Sequence, residues 1–316
     1  MIDWTDRHCR AFHRTLSRRT LLYTEMVTSA AVVRGGALHL LDEDASGQSL
    51  ALQIGGSDPG ELAEVTAIAV ERGYGEVNLN LGCPSDRVQA GCFGAVLMED
   101  PGLVMRCLAA MRDAASGREV TAKCRIGVDD QDPTLVLPDF LSRMRDIGVM
   151  RVIIHARKAW LQGLSPKQNR EIPPLDYPLV HAMAERFPDM HLTINGGIGT
   201  LDEAEGHLAV MSGVMIGRAA YHDPGAILLG ADSRIFGVED PLSDRVAAVL
   251  AMEPYIARHL DGGGRLHQVT RHMLGLFAGQ AGARAWRRVL SERATDPGAG
   301  LDVLRIALDQ VASRAA

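Results

Sequence analysis

The chain has 316 residues, 47% hydrophobic and 23% charged, which is enough apolar material for a sizeable core and excludes a disordered chain. No stretch approaches the run of about 18 apolar residues that a membrane span needs, and the opening MIDWTDRHCR carries charge where a signal peptide would be apolar, so a cytoplasmic protein is expected. The net charge of −6 argues against a uniformly basic nucleic-acid binder, and five scattered cysteines argue for a reducing compartment rather than a disulfide framework.

In chain order, MIDWTDRH reads as a loop leading into a first helix. Short apolar runs then recur: LLYTEM (21–26), LALQIGG (50–56), EVNLNLG (76–82), VTAKCRIG (120–127), RVIIHAR (151–157), HLTINGG (191–197) and GVMIGRA (213–219). Each has the length of a buried strand and ends in turn-forming or polar residues. Helical patterns lie between them, at 60–72, from Asp100-Pro101 onward, and at about 134–146, 176–187 and 202–210. Asp58 and Glu61 have the spacing of a capping box, and Pro101 suits a first helical turn. Strand alternating with helix at this spacing means parallel strands joined by crossover helices. Seven strands over about 220 residues predict a (β/α)8 TIM barrel, an α/β fold, whose first strand is either upstream of Met1 or replaced by a different closure of the barrel.

Beyond residue 238 the strand runs stop. Helices are expected at about 241–260, 265–278, 282–293 and 299–314, broken by glycine-rich turns. The predicted organisation is a barrel domain over 1–238 and a small all-helical domain over 239–316.

In such a barrel the chemistry sits at the carboxyl ends of the strands. The polar residues there are Glu25, Gln53, Asn78, Asn80, Lys123, Arg125, His155, Arg157, Asn195 and Arg218. So many amides and cations at buried strand ends call for a ligand, and the set suits a flavin-like heterocycle. INGGIGT (194–200) and IGRAA (216–220) end consecutive strands; Gly196, Gly197 and Gly217 let backbone N–H groups approach an anion, and Arg218 adds a cationic fork, as in the phosphate site after the last two strands of barrels. Lys123 is one of only three lysines against 30 arginines, placed where a compact cation would stabilise charge on a reduced ring. Cys83 follows a strand and precedes Pro84 at the barrel mouth, the cysteine placed to act as an acid. Cys9, Cys107 and Cys124 read as core residues, and Cys92 sits in a glycine-rich loop. No CxxC spacing occurs, so no metal is expected.

These stretches, with NLNLGCPSDRVQAGCFGA (78–95), HARKAWLQGLSPKQNREIPPLDY (155–177) and HMLGLFAGQAGARAWRRVLSE (272–292), resemble the tRNA-dihydrouridine synthases over nearly the whole chain. The resemblance implies an FMN barrel with a helical tRNA-binding domain, an enzyme reduced by NADPH that reduces D-loop uridines at positions 20 and 20a; a monomer is expected. Hydride would pass to uracil carbon 6 and a proton to carbon 5. By the same resemblance Cys83 is the general acid, and Gln53, Lys123 and His155 contact the flavin ring. Asn195, Gly196, Gly197, Gly217 and Arg218 would contact its ribityl chain and phosphate, and Met1 is the remnant of an Ala-Pro-Met turn that binds FMN through backbone. Asn80, Arg157, Lys158, Lys167, Asn169 and Arg170 would contact tRNA or uracil.

The charge distribution agrees with an RNA partner. Segments 1–24, 157–171 and 265–293 carry +3, +3 and +5, leaving −17 on the other 248 residues. Arg265, Arg271, Arg284, Arg287 and Arg288 are the candidate backbone contacts of the helical domain, the last three at i, i+3 and i+4 on one face. Trp286 is expected to face the core. Two other readings stay open: an FMN barrel oxidoreductase acting on a small pyrimidine or enone, and a non-catalytic RNA-binding protein.

Overall fold

The computed structural model describes residues 1–42, 49–85, 88, 89 and 91–315, with only the backbone of 312–315. Residues 86, 87 and 90 of the expected 78–95 motif lie outside the described residues. The chain forms two compact units, a barrel unit of Tyr23–Ile198 with Asp202–Ile216, and a helical unit of Met1–Leu22, Gly199–Leu201 and Gly217–Ala316.

Seven strands build the sheet: β1 Leu22–Thr28, β2 Leu50–Gly55, β3 Glu76–Leu81, β4 Glu119–Arg125, β5 Arg151–His155, β6 His191–Asn195 and β7 Gly213–Met215. They lie side by side in chain order, and every described pairing is parallel. All seven fall on the apolar runs, because a strand covered on its outer face by helices and on its inner face by the barrel core reads as nearly continuous hydrophobic sequence. The sheet curls as half a barrel, with crossover helices at Pro59–Glu71, Pro101–Ala114, Pro133–Asp146, Tyr177–Arg186 and Leu201–Leu208.

Aspartates start the helices. Asp58, Asp100, Asp132 and Asp176 each accept a backbone N–H of the first turn at 2.9–3.0 Å, and at the first three a proline follows directly. The capping box expected at Asp58 is only half formed. Glu61 does not reach back, because its carboxylate is taken by the Ser29 hydroxyl at 3.0 Å and the Arg34 guanidinium at 2.5 Å. A charged partner outcompetes a neutral backbone N–H for a carboxylate.

The helical unit contains the expected 239–316 segment together with the N-terminal helix Arg7–Leu16 and three short helices at 218–222, 224–228 and 231–236. Long helices run Arg245–Asp261, Ala283–Arg293 and Leu301–Ala315. Phe12, Leu16, Met252, Ile256, Phe277, Trp286 and Leu304 form its core, with Trp286 fully buried. The helix expected over 265–278 is shorter, Leu266–Thr270, followed by tight turns. There the Met273 carbonyl accepts from the Trp286 indole N–H at 3.0 Å, and Gly275 lies so close to the His222 carbonyl that a Cβ would sit 2.1 Å from its oxygen. Tertiary contacts override the helical propensity of that stretch.

Candidate functional site in the barrel unit

Alternation along β3 decides which residues face inward. Glu76, Asn78 and Asn80 point to one side and Val77, Leu79 and Leu81 to the other. Register then aligns rows across the sheet: Gln53, Asn78 and Thr121 in one, Asn80 beside Lys123 in the next, and Arg125, His155, Asn195 and Met215 in a third. Rows of polar side chains inside an otherwise apolar barrel are the first mark of a site.

Asn80 holds the turn that carries Cys83. Its Oδ1 accepts the backbone N–H groups of Gly82 and Cys83, both at 3.1 Å, while its Nδ2 donates to Gln53 Oε1 at 2.9 Å. Gln53 Nε2 donates to Asn78 Oδ1 at 2.9 Å, Asn78 Nδ2 to the Thr121 hydroxyl at 2.7 Å, and Thr121 to Glu76 Oε1 at 2.6 Å. Asn78 is therefore a wholly buried link rather than a residue of the barrel mouth. The Cys83 carbonyl accepts from Ala95 N–H at 2.9 Å, and its Sγ lies 3.5 Å from Ser85 Oγ. The thiol is partly exposed, whereas Cys9, Cys107 and Cys124 are buried.

Cations gather around this turn. Burial, then the neighbouring Arg125, push the Lys123 ammonium down to about 8, with Cys124 and Cys83 acting the other way. Burial holds Arg125 down to about 10, with Cys83 opposing and Arg170 and Arg157 adding to the shift. No carboxylate contributes to either shift among the described residues. A desolvated ammonium such as Lys123, with no carboxylate acting on it among the described residues, fits an electron-rich, anionic ligand. Of the cofactor candidates in this unit, Gln53 keeps one amide proton beyond its bond to Asn78. Asn195 Nδ2 donates to the Met215 carbonyl at 2.8 Å.

His155 packs on Gly196, whose φ is 112°; a Cβ there would lie 2.4 Å from the imidazole, so the glycine is required by both backbone and ring. Gly197, at φ 76°, is exposed, and a Cβ would lie 2.6 Å from Leu175. Met1, Gly217 and Arg218 belong to the helical unit. There Met1 Sδ is 3.6 Å from the position of a Gly217 Cβ, and Gly217 precedes the helix that Arg218 begins.

The loop after β5 is organised by Arg125, a strand-end cation whose structural part was not visible in sequence. Its guanidinium donates to the carbonyls of Gly82 at 3.0 Å, Lys158 at 3.2 Å and Asn169 at 3.0 Å, tying the Cys83 turn to this loop. Asn169 is fully buried. Arg157 donates to the Pro173 carbonyl and, at 3.4 Å, to that of Glu171. Lys167 and Arg170 are exposed, and Lys158 lies 5.5 Å from the centre of the Trp160 ring. Sequence reasoning passed over Trp160, Ser85, Thr121 and Glu76; only the alternating polar pattern of β3 hinted at the last.

In the helical unit, Arg265, Arg284, Arg287 and Arg288 are exposed. Arg271 is engaged: it pairs with Asp6 at 2.5 Å, beside His272 at 3.0 Å from the same carboxylate. Burial disfavours ionisation of Asp6, but hydrogen bonds from His272, Cys9 N–H and Arg271 outweigh it and hold the carboxyl well below its usual range. The basic N-terminal segment is also partly committed to its own backbone. Arg10 donates to the Thr5 carbonyl, and Arg14 to those of Ser17, Arg18 and Thr20.

Among the described residues, no group of three or more His, Cys, Asp or Glu could hold a metal, and no helix is long and apolar enough to cross a membrane. Comparison of the fold finds morphinone reductase in complex with tetrahydroNAD, at a TM-score of 0.51 and 11% identity, covering 76% of this chain and 84% of that one. The tRNA-dihydrouridine(20/20a) synthase of Escherichia coli strain K12 is 55% identical over 315 residues, 99% of this chain and 90% of that protein. The enzyme of the same name from Vibrio cholerae is 52% identical over 312 residues, 98% and 94% of the two chains. The family model for dihydrouridine synthase matches residues 1–313, and the chain belongs to that family.

Proposed function

We propose that this chain reduces uridines of the tRNA D-loop, at positions 20 and 20a, to 5,6-dihydrouridine, using FMN and NADPH. The observation that carries the reading is the placement of a partly exposed thiol, Cys83, on a hydrogen-bonded turn within electrostatic reach of the half-buried Lys123 and the buried Arg125. The names of the E. coli and V. cholerae relatives supply the substrate and positions. When bound, FMN would supply the hydride for uracil carbon 6.

The chain's own residues do the rest. Lys123, Gln53 and His155 would hold the flavin ring by charge and hydrogen bonds, and Asn195, Gly196 and Gly197 would hold its ribityl chain and phosphate. Cys83 gives a proton from Sγ to carbon 5 as negative charge develops there; a neutral thiol, with an ordinary pKa of about 8.5, is a competent acid for such a carbon. A uracil inside a folded loop is out of reach, so the base must be flipped outward. Asn80 and the cationic loop of Arg157, Lys158, Lys167 and Arg170 meet the tRNA on the barrel unit, with Asn169 setting the loop's shape. Arg265, Arg284, Arg287 and Arg288 meet phosphates on the helical unit, with Arg271 beside them.

Mass mapping of dihydrouridine in tRNA from a strain lacking its own enzyme and complemented with this gene tests the reading. Dihydrouridine at 20 and 20a is expected. Anaerobic reoxidation of the reduced protein by free uridine or an enone, but not by tRNA, would make it a small-molecule oxidoreductase, and a colourless protein that binds tRNA would make it a binding protein.

A further inference from the structure

We propose that Glu76, at the amino end of β3, is a positioning residue for Cys83, acting through a one-way chain of hydrogen bonds. The chain runs from the Gly82 and Cys83 N–H groups to Asn80, Gln53, Asn78, Thr121 and finally Glu76, with links of 2.6–3.1 Å. Gln53, Asn78 and Thr121 are buried, and Glu76 is 3% exposed.

The direction of the chain is set from both ends. A backbone N–H can only donate, so Asn80 must turn its oxygen to the Cys83 loop and its NH2 to Gln53. An ionised carboxylate can only accept, so Thr121 must donate to Glu76 and accept from Asn78, which turns the Asn78 oxygen to Gln53. The two constraints meet at Gln53 and agree: its oxygen faces Asn80 and its NH2 faces Asn78. Reversing any one amide would set oxygen against oxygen or N–H against N–H in a buried row, leaving polar atoms there unsatisfied. Glu76 is itself secured by the Tyr23 hydroxyl at 2.7 Å and by Arg151 at 3.5 Å. Burial, then Glu76, keep the Tyr23 hydroxyl protonated far above its ordinary range, so it stays a donor. The carboxylate thus fixes the far end of the row as the backbone N–H groups fix the near end, and their agreement at Gln53 locks Asn80, and with it the turn bearing the thiol, in one arrangement.

This inference rests on Cys83 as the proton donor, but its test reads the thiol's position independently. Thr121→Val removes the hydroxyl link at nearly constant shape, and Thr121→Ser restores it. Flavin-loaded protein of each kind, with Glu76→Gln as a second break in the chain, is alkylated by iodoacetamide and mapped by mass. The Cys83 rate is referred to N-acetylcysteine, and continued protection of Cys9, Cys107 and Cys124 reports an intact fold.

Thr121→Val is expected to change the Cys83 rate at least about threefold and to lower kcat on tRNA about tenfold to a hundredfold, as small displacements of reacting groups do. NADPH-driven flavin reduction should be retained, and Thr121→Ser should return both values towards the parent. Glu76→Gln should move the Cys83 rate in the same direction as Thr121→Val. An unchanged Cys83 rate in both Thr121→Val and Glu76→Gln, with the buried cysteines still protected, would overturn the proposal, as would failure of Thr121→Ser to rescue. A changed Cys83 rate with undiminished tRNA turnover would keep the relay and instead remove the donor role of Cys83.

Discussion

Asn169 grips the backbone of Trp160 at both polar ends: its Oδ1 accepts the Trp160 N–H at 2.7 Å, and its Nδ2 donates to the Trp160 carbonyl at 2.9 Å. The amide is fully buried, while the indole it presents is 36% exposed with Lys158 near its face. An aromatic ring held rigidly beside cations is a stacking platform for an unpaired base. Trp160→Ala should weaken tRNA binding by about 1–3 kcal/mol, Trp160→Phe should retain most of it, and Asn169→Ala should behave like Trp160→Ala. Filter binding at fixed salt, beside NADPH oxidation as an unaffected control, checks the series.

Removing the thiol separates the two half-reactions. Cys83→Ala should still accept electrons from NADPH, because flavin reduction needs no proton donor on the uracil face. Its tRNA turnover should fall by about 10²–10⁴-fold, the usual contribution of a general acid. Stopped-flow flavin bleaching and reoxidation by tRNA under nitrogen measure the two steps.

Lys123 carries a stability cost that follows pH. Its folded value of about 8 lies below the ordinary 10.5, so below pH 8 the charged lysine is held in an unfavourable environment and the full cost applies. Between pH 8 and 10.5 the folded state loses the proton first, and the cost fades. Lys123→Met should therefore stabilise the flavin-free protein at pH 7, by up to about 3 kcal/mol, and show little difference near pH 10.5, while lowering flavin content. Urea unfolding at the two pH values and the absorbance of the purified protein test both halves.

Asp6 works with the opposite sign. Its carboxyl is held below its ordinary value, so the stability it adds is present above about pH 4 and is lost as pH falls through the folded value. Asp6→Asn should destabilise the protein at pH 7 by about 1–3 kcal/mol, with the difference shrinking in acid. Arg271→Ala should show part of the same loss, as melting curves would reveal.

On the helix Ala283–Arg293, Arg284, Arg287 and Arg288 are exposed while Ala285, Trp286, Val289 and Leu290 are buried. Replacing the three arginines by glutamine should leave folding and NADPH oxidation intact. It should reduce the slope of log affinity for tRNA against log salt by about 2–3, the count of phosphate contacts removed.

Much of this molecule was legible from sequence because it rests on local rules. The seven strands follow from apolar runs, the helix starts from Asp and Pro, and the burial of Cys9, Cys107, Cys124 and Trp286 from the faces they occupy. The expected helix over 265–278 was cut short because Trp286 and His222, distant in sequence, claim the space and carbonyls it would need. Net charge was likewise misleading in detail: Arg10, Arg14 and Arg271 are cations in any count, yet they serve carbonyls and Asp6.

What sequence alone determined was the order of strands and helices, the family, and the types of residue at the strand ends. Tertiary structure alone decided which of those residues touch. Gln53, Asn78 and Thr121 lie 25 and 43 residues apart along the chain, and only the register of three parallel strands sets them in one row. A hydrogen bond requires contact within about 3 Å, and no periodicity within a single strand specifies what stands beside it in the next.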